Sequence, residues 1–169
     1  MEAQIDAVLR ANDAYRLSSS RAQALASEPS RRLVVLACMD ARLDLLPALG
    51  LEVGDAHILR NAGGRATPDA FRSLVVSTHL LGTREIAVVH HTRCGLEGMT
   101  DAEAASRTGA KGVSFLGFED LSASVQEDVT AIREYDSLPN DVVVWGAVYD
   151  VETGALDVVV PPGRLGERE

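Results

Sequence analysis

Unbroken aliphatic runs, rather than alternating ones, set the pattern of this chain. Leu33-Val34-Val35-Leu36-Ala37 and Ile86-Ala87-Val88-Val89 have no polar residue at every second place. A strand covered on one face alternates. A run this continuous and this short predicts a strand buried on both faces, as in a parallel sheet. Residues 55–60 and 142–149 repeat the pattern more loosely, and a turn at Glu152-Thr153-Gly154 leads into a fifth strand over 155–160. Between the strands the period becomes helical. A short helix over 43–49 stops at Gly50. Thr67-Pro68 supplies an N-cap and a proline at the first helical position, after which Phe71, Leu74, Val75 and Leu81 share a face until Gly82. Leu121, Val125, Val129 and Ile132 mark a helix over about 119–136.

Strands that alternate with helices predict an α/β fold: a mostly parallel sheet of four strands with right-handed crossovers, an antiparallel fifth strand at its edge, and helices on its flanks. The region 96–119 is interrupted by Gly109, Gly112 and Gly117 and reads as a loop or lid near the site, with a capping box at Thr100-Asp101-Ala102-Glu103 that opens a short helix. Residues from Pro161 onward read as a tail. Residues 3–17 form an amphipathic helix with Ile5, Val8, Leu9 and Tyr15, followed by a small, polar linker from Ser18 to Ser30. Residues 1–30 are therefore an N-terminal arm, and 31–169 a single α/β domain. The arm packs either on a second subunit or on its own domain.

Composition narrows the partners. The chain has 169 residues, a formal net charge of −9 and a pI near 4.9. Nucleic acid or an anionic membrane would call for a basic face, so neither is expected. No apolar run is long enough to span a bilayer. The acidic start Met1-Glu2-Ala3-Gln4-Ile5-Asp6 lacks the basic and apolar regions of a signal peptide, which points to the cytoplasm and to reduced cysteines. A Cys38–Cys94 disulfide is the alternative.

The chemistry sits where two runs end. Cys38, Asp40 and Arg42 follow the first at every second place, and while the chain stays extended they point the same way. His91 and Cys94 follow the second. Two thiols and one imidazole are one ligand short of a closed tetrahedron, which is how catalytic zinc sites leave a place for water. Soft thiolates favour zinc over magnesium or manganese. His90 points to the opposite side of its strand from His91 and reads as a buried, hydrogen-bonded histidine. His57 and His79 read as packing or surface histidines, either of which could instead carry protons. Asn61, Gly63 and Gly64 make either a tight turn or a backbone surface that faces substrate.

Taken in order, Cys38-x-Asp40-x-Arg42, Arg60-Asn61-Ala62-Gly63 and His91-x-x-Cys94-Gly95 resemble the β-class carbonic anhydrases, in a short bacterial branch, over roughly residues 33–160. The resemblance implies one Zn²⁺ per chain on Cys38, His91 and Cys94, with Asp40 and Arg42 as a dyad beside it. It implies reversible hydration of CO₂ to bicarbonate and a proton, and a homodimer or higher even oligomer whose N-terminal helix crosses to the partner. Arg93 departs from the pattern, which in this branch has an acidic or small residue there. Two other functions fit the same residues: hydrolysis of carbonyl sulfide or carbon disulfide, and a zinc-binding module without catalysis.

Overall fold

The computed structural model describes residues 4–18 and 25–166. Residue 3 of the expected first helix, residues 19–24 of the expected linker and residues 167–169 of the expected tail lie outside the described residues.

The aliphatic runs form five strands: β1 (Leu33–Cys38), β2 (Ala56–Asn61), β3 (Glu85–His91), β4 (Val143–Tyr149) and β5 (Leu156–Arg164). They hydrogen-bond in the order β2-β1-β3-β4-β5. The first four are parallel and β5 is antiparallel to β4. Five α-helices lie among the described residues: α1 (Gln4–Ser18), α2 (Leu45–Ala48), α3 (Pro68–Val75), α4 (Asp101–Thr108) and α5 (Leu121–Arg133).

The continuous runs are continuous because both faces are covered. On one face Val34, Leu36, Ile86 and Val88 pack under Leu74 of α3 and Val125, Val129 and Ile132 of α5. On the other, Val35, Ala37, Ala87 and Val89 pack under Leu43, Leu45 and Phe118. Full burial of each Val, Leu, Ile or Phe among them contributes about 1.5–3 kcal/mol. The caps are those expected: Thr67 accepts from Ala70 N–H, and Thr100 and Glu103 form a reciprocal capping box. Beyond α3 the chain widens into a π-helical turn over Val76–Leu80, where Leu81 N–H reaches back to Val76.

Two expectations change. The fifth strand does not stop at 160: Val143 pairs with Arg164 and Val144 with Gly163. Pro161 and Pro162 are admitted because β5 is an edge strand and the ladder shifts register between Val144 and Ala147. The helix after β1 has four residues, with Pro47 inside it. Region 96–119 is closed at its base by an isolated bridge between Glu97 and Phe118 and carries the short helix expected after its capping box, α4.

Strand β1 has β2 on one side and β3 on the other. The chain therefore leaves the carboxyl end of β1 in one direction and that of β3 in another. Such a switch point opens a crevice at the carboxyl ends, where open α/β sheets bind ligands.

Candidate metal centre

Strand β1 delivers Cys38 to this crevice, and β3 delivers His91, with Cys94 on the turn beyond it. The three are 5, 0 and 7% exposed, and their ligand atoms all lie within 4.8 Å of one another. Both cysteines are free thiols, so the disulfide alternative is not realised.

The imidazole is set for coordination through one nitrogen. His91 Nδ1 is 2.9 Å from the Thr92 carbonyl, which can only accept, so Nδ1 carries the hydrogen and Nε2 keeps its lone pair. Nε2 is buried without an aligned hydrogen-bond partner. A buried acceptor of that kind, facing two sulfurs, is what a metal would satisfy. The donor set suits Zn²⁺ with one tetrahedral position left open. The thiols are not equivalent. The hydrogen bond from Cys94 holds Cys38 down at about 4, with His91 and the backbone amides of Asp40 and Gly63 adding to it against the effect of burial. The same bond, followed by burial, pushes Cys94 up. For His91, burial is the largest influence and works downward, but the neighbouring Cys38 sulfur and its charge outweigh it, and the imidazole is raised.

Asp40 and Arg42 come together by a different route from the one their spacing suggests. Strand β1 ends at Cys38, and the chain turns, with Leu43 N–H bonded to the Asp40 carbonyl. Asp40 Oδ1 accepts from Arg42 N–H at 3.0 Å, which is an Asx-turn. The Arg42 guanidinium closes a fork on the same carboxylate, Nε to Oδ1 at 2.9 Å and Nη2 to Oδ2 at 2.7 Å. These side-chain bonds, followed by the Arg42 amide, hold Asp40 well below the usual carboxylate range. Asp40 Oδ2 lies 3.9 Å from His91 Nε2. Arg42 Nη2 also donates to the Arg93 carbonyl at 2.9 Å, tying the fork to the turn that carries Cys94.

The remaining predicted residues divide. Asn61 donates through Nδ2 to the Arg65 carbonyl at 2.7 Å, while its Oδ1 is buried and unpaired. Gly63 and Gly64 are buried, with φ of 76° and 72°. A Cβ on Gly64 would lie 2.9 Å from Cys38 N, so the turn is seated on the ligand strand itself. Arg93 has φ of 56° and turns its guanidinium outward to Glu152 at 2.8 Å. His90 is buried and bonded to Ser124, His57 to Ser77, and His79 to the Ser137 carbonyl.

Two sets of residues escape a reading of the sequence. Arg60 donates to the carbonyls of Cys38, Leu43 and Asp40 and so fixes the turn between ligand and dyad. Arg65, Ser124 and Asp128 are buried around His90. Asp128 could have been noticed, because it falls inside the apolar stripe of its helix between Leu121 and Ile132.

The sequence profile of the carbonic anhydrase family matches residues 33–116. Beta-carbonic anhydrase 1 of Mycobacterium tuberculosis is 39% identical over 138 residues, covering 79% of this chain and 85% of that relative. A carbon disulfide hydrolase of an Acidianus strain is 36% identical over 156 residues, covering 75% and 76%. The crystal structure of a carbonic anhydrase from Streptococcus mutans superposes with a TM-score of 0.86 at 42% identity, covering 94% of this chain and 99% of that one. With the five-stranded sheet and the Cys–His–Cys cluster at its switch point, these relationships place the chain in the β-carbonic anhydrase family.

Proposed function

We propose that this chain is a zinc-dependent carbonic anhydrase that interconverts carbon dioxide and water with bicarbonate and a proton. The observation that carries the reading is the ionised Asp40, clamped by Arg42 and standing 3.9 Å from the free nitrogen of His91. Cys38 Sγ, His91 Nε2 and Cys94 Sγ are the ligands. Zinc held there supplies the Lewis acidity that lets water attack CO₂ as hydroxide near neutral pH. The carboxylate of Asp40 would otherwise bind the metal directly; the Arg42 fork holds it off. From that position Oδ2 accepts a hydrogen bond from the attacking water and aims the oxygen lone pair at the substrate carbon. Its depressed pKa makes Asp40 an acceptor rather than a proton store, so the released proton passes on to solvent. Arg42 must be an arginine, because a lysine cannot span both oxygens. The backbone of Asn61, Gly63 and Gly64 forms the neighbouring wall of the crevice.

The identity to a carbon disulfide hydrolase supports a second reading, hydrolysis of a heavier linear molecule by the same residues. Stopped-flow CO₂ hydration, run beside hydrogen sulfide release from carbon disulfide and carbonyl sulfide on zinc-loaded protein, separates them. Hydration several orders above background with weak sulfide release is expected. Sulfide release alone would replace the proposal with the second reading, and neither activity in a zinc-loaded chain would leave a binding module.

The same proposal extends to assembly. Ile5, Val8, Leu9 and Tyr15 of α1 are more than half exposed in the single chain, which supports the arm (residues 1–30) packing on a partner in a homodimer or higher even oligomer. Sedimentation of Val8→Glu/Leu9→Glu is expected to show a smaller particle; an unchanged one would remove α1 from the interface. Two free cysteines suit a reducing compartment, which supports the cytoplasm. No helix among the described residues is long and apolar enough to cross a membrane.

A further inference from the structure

Behind the metal centre lies a buried polar cluster that the reaction does not use directly. Asp128 of α5 is 5% exposed, on a buried helix face that it shares with Ser124, Val125, Val129 and Ile132. Its Oδ1 accepts from Ala66 N–H at 3.0 Å. Its Oδ2 lies 2.9 Å from Arg65 Nε and 3.1 Å from His90 Nε2, both off the hydrogen-bond axis, so Arg65 is held there by charge rather than by alignment. One carboxylate thus touches three elements: the turn after β2, strand β3 beside His91, and α5. The turn it holds is the one seated on Cys38. Gly64 packs against the Cys38 and Ala37 backbone, Asn61 accepts from Met39 N–H at 2.8 Å, and the Gly63 amide faces the Cys38 sulfur.

We propose that Asp128 is a positioning residue for the Cys38 sulfur: it fixes the turn through Ala66 and Arg65, and the turn presents the Gly63 N–H to the metal's thiolate ligand. An N–H donated to a thiolate draws electron density from it, so the metal is left a stronger Lewis acid. His90 registers the same carboxylate to the strand carrying the second ligand, which keeps the two ligand-bearing elements at one spacing. A buried acid in a helix stripe has a reason under this account. An apolar residue there would pack as well, but could not hold the turn.

The inference rests on the metal reading above, and its test reads the ligand shell rather than turnover. In cadmium-113-loaded wild type, scalar coupling through the Cys38 sulfur is expected at the amide protons of both Gly63 and Asp40, since both amides face it. Asp128→Asn turns an amide N–H₂ toward Arg65. It should lose the Gly63 coupling and keep the one at Asp40, weaken zinc binding by about 10-fold, and shift the cobalt thiolate charge-transfer band to lower energy. Because Arg65 would keep only the exposed Glu127 as its counter-charge, 2.9 Å from Nη2, and its buried charge could unfold the chain, Asp128→Leu/Arg65→Met removes both buried charges at once and should show the same selective loss. Loss at both amides would mean general loosening and overturn the proposal. So would wild-type coupling, band and affinity in either folded variant, or no Gly63 coupling in a wild type that binds cadmium and hydrates CO₂. A wild type that takes up no metal would overturn this inference and the function together.

Discussion

Gly64→Ala tests how tightly the turn after β2 is set on the ligand strand. Two costs can be worked from the structure. Gly64 has φ of 72°, where an L-residue is disfavoured by about 1–2 kcal/mol. The added Cβ would stand 2.9 Å from Cys38 N and 3.0 Å from the Ala37 carbonyl carbon. Both are backbone atoms of the central strand and cannot swing aside, so overpacking adds about 1–3 kcal/mol. Alanine also restricts the unfolded chain, which returns about 0.4–1 kcal/mol. The net loss is therefore about 2–4 kcal/mol. Gly50→Ala is the control. It has φ of 63° but nothing within 4 Å of its Cβ, so it carries the conformational cost alone, about 1 kcal/mol. Urea denaturation of the metal-free proteins at one fixed concentration, compared at equal m, gives the two values. Gly64→Ala should also bind zinc more weakly than Gly50→Ala, because the overlap displaces Cys38. Equal losses in the two variants, with equal zinc affinity, would refute the claim that the turn bears on the ligand.

Three further outcomes follow from the site. Arg42→Ala should keep its zinc and lose CO₂ hydration by 10²-fold or more, as Asp40 is freed to take the open position; full activity with the wild-type pH profile would sink the dyad. Zinc binding should release protons. Cys38 is already a thiolate above about 4, whereas the raised Cys94 must give up a proton, so affinity should climb about tenfold per pH unit near pH 8. Below the raised pKa of His91 a second proton must leave, and the slope should steepen toward two as pH falls; competition titrations across pH 6–9 that show no slope would refute this. Arg93→Asn should leave hydration within about twofold of wild type, because its guanidinium points outward to Glu152 on an exposed pair worth little; a large loss would show that its charge reaches the metal.

The strands could be read from the sequence because burial on both faces leaves a mark along the chain: Leu33 to Ala37 and Ile86 to Val89 have no polar place to turn toward water. The same is true of caps, since Thr67 and Thr100 satisfy amides only three residues away. It is also true of the metal ligands, because strand ends of a parallel sheet converge on one edge. What the sequence could not determine is whatever depends on partners far apart in the chain. The fifth strand runs through two prolines because β4 pairs with it only from one side. Asp40 and Arg42 meet through a turn, not an extended segment, because Arg60, some twenty residues on, captures the turn's carbonyls. Asp128 is a buried anchor rather than a solvated acid only because Arg65 and His90 are brought to it from 63 and 38 residues away. Local rules fix which residues can carry the chemistry. The spacing of the thiolate, the imidazole and the clamped carboxylate is fixed by packing between elements, since only the folded sheet sets the strand ends that hold them side by side.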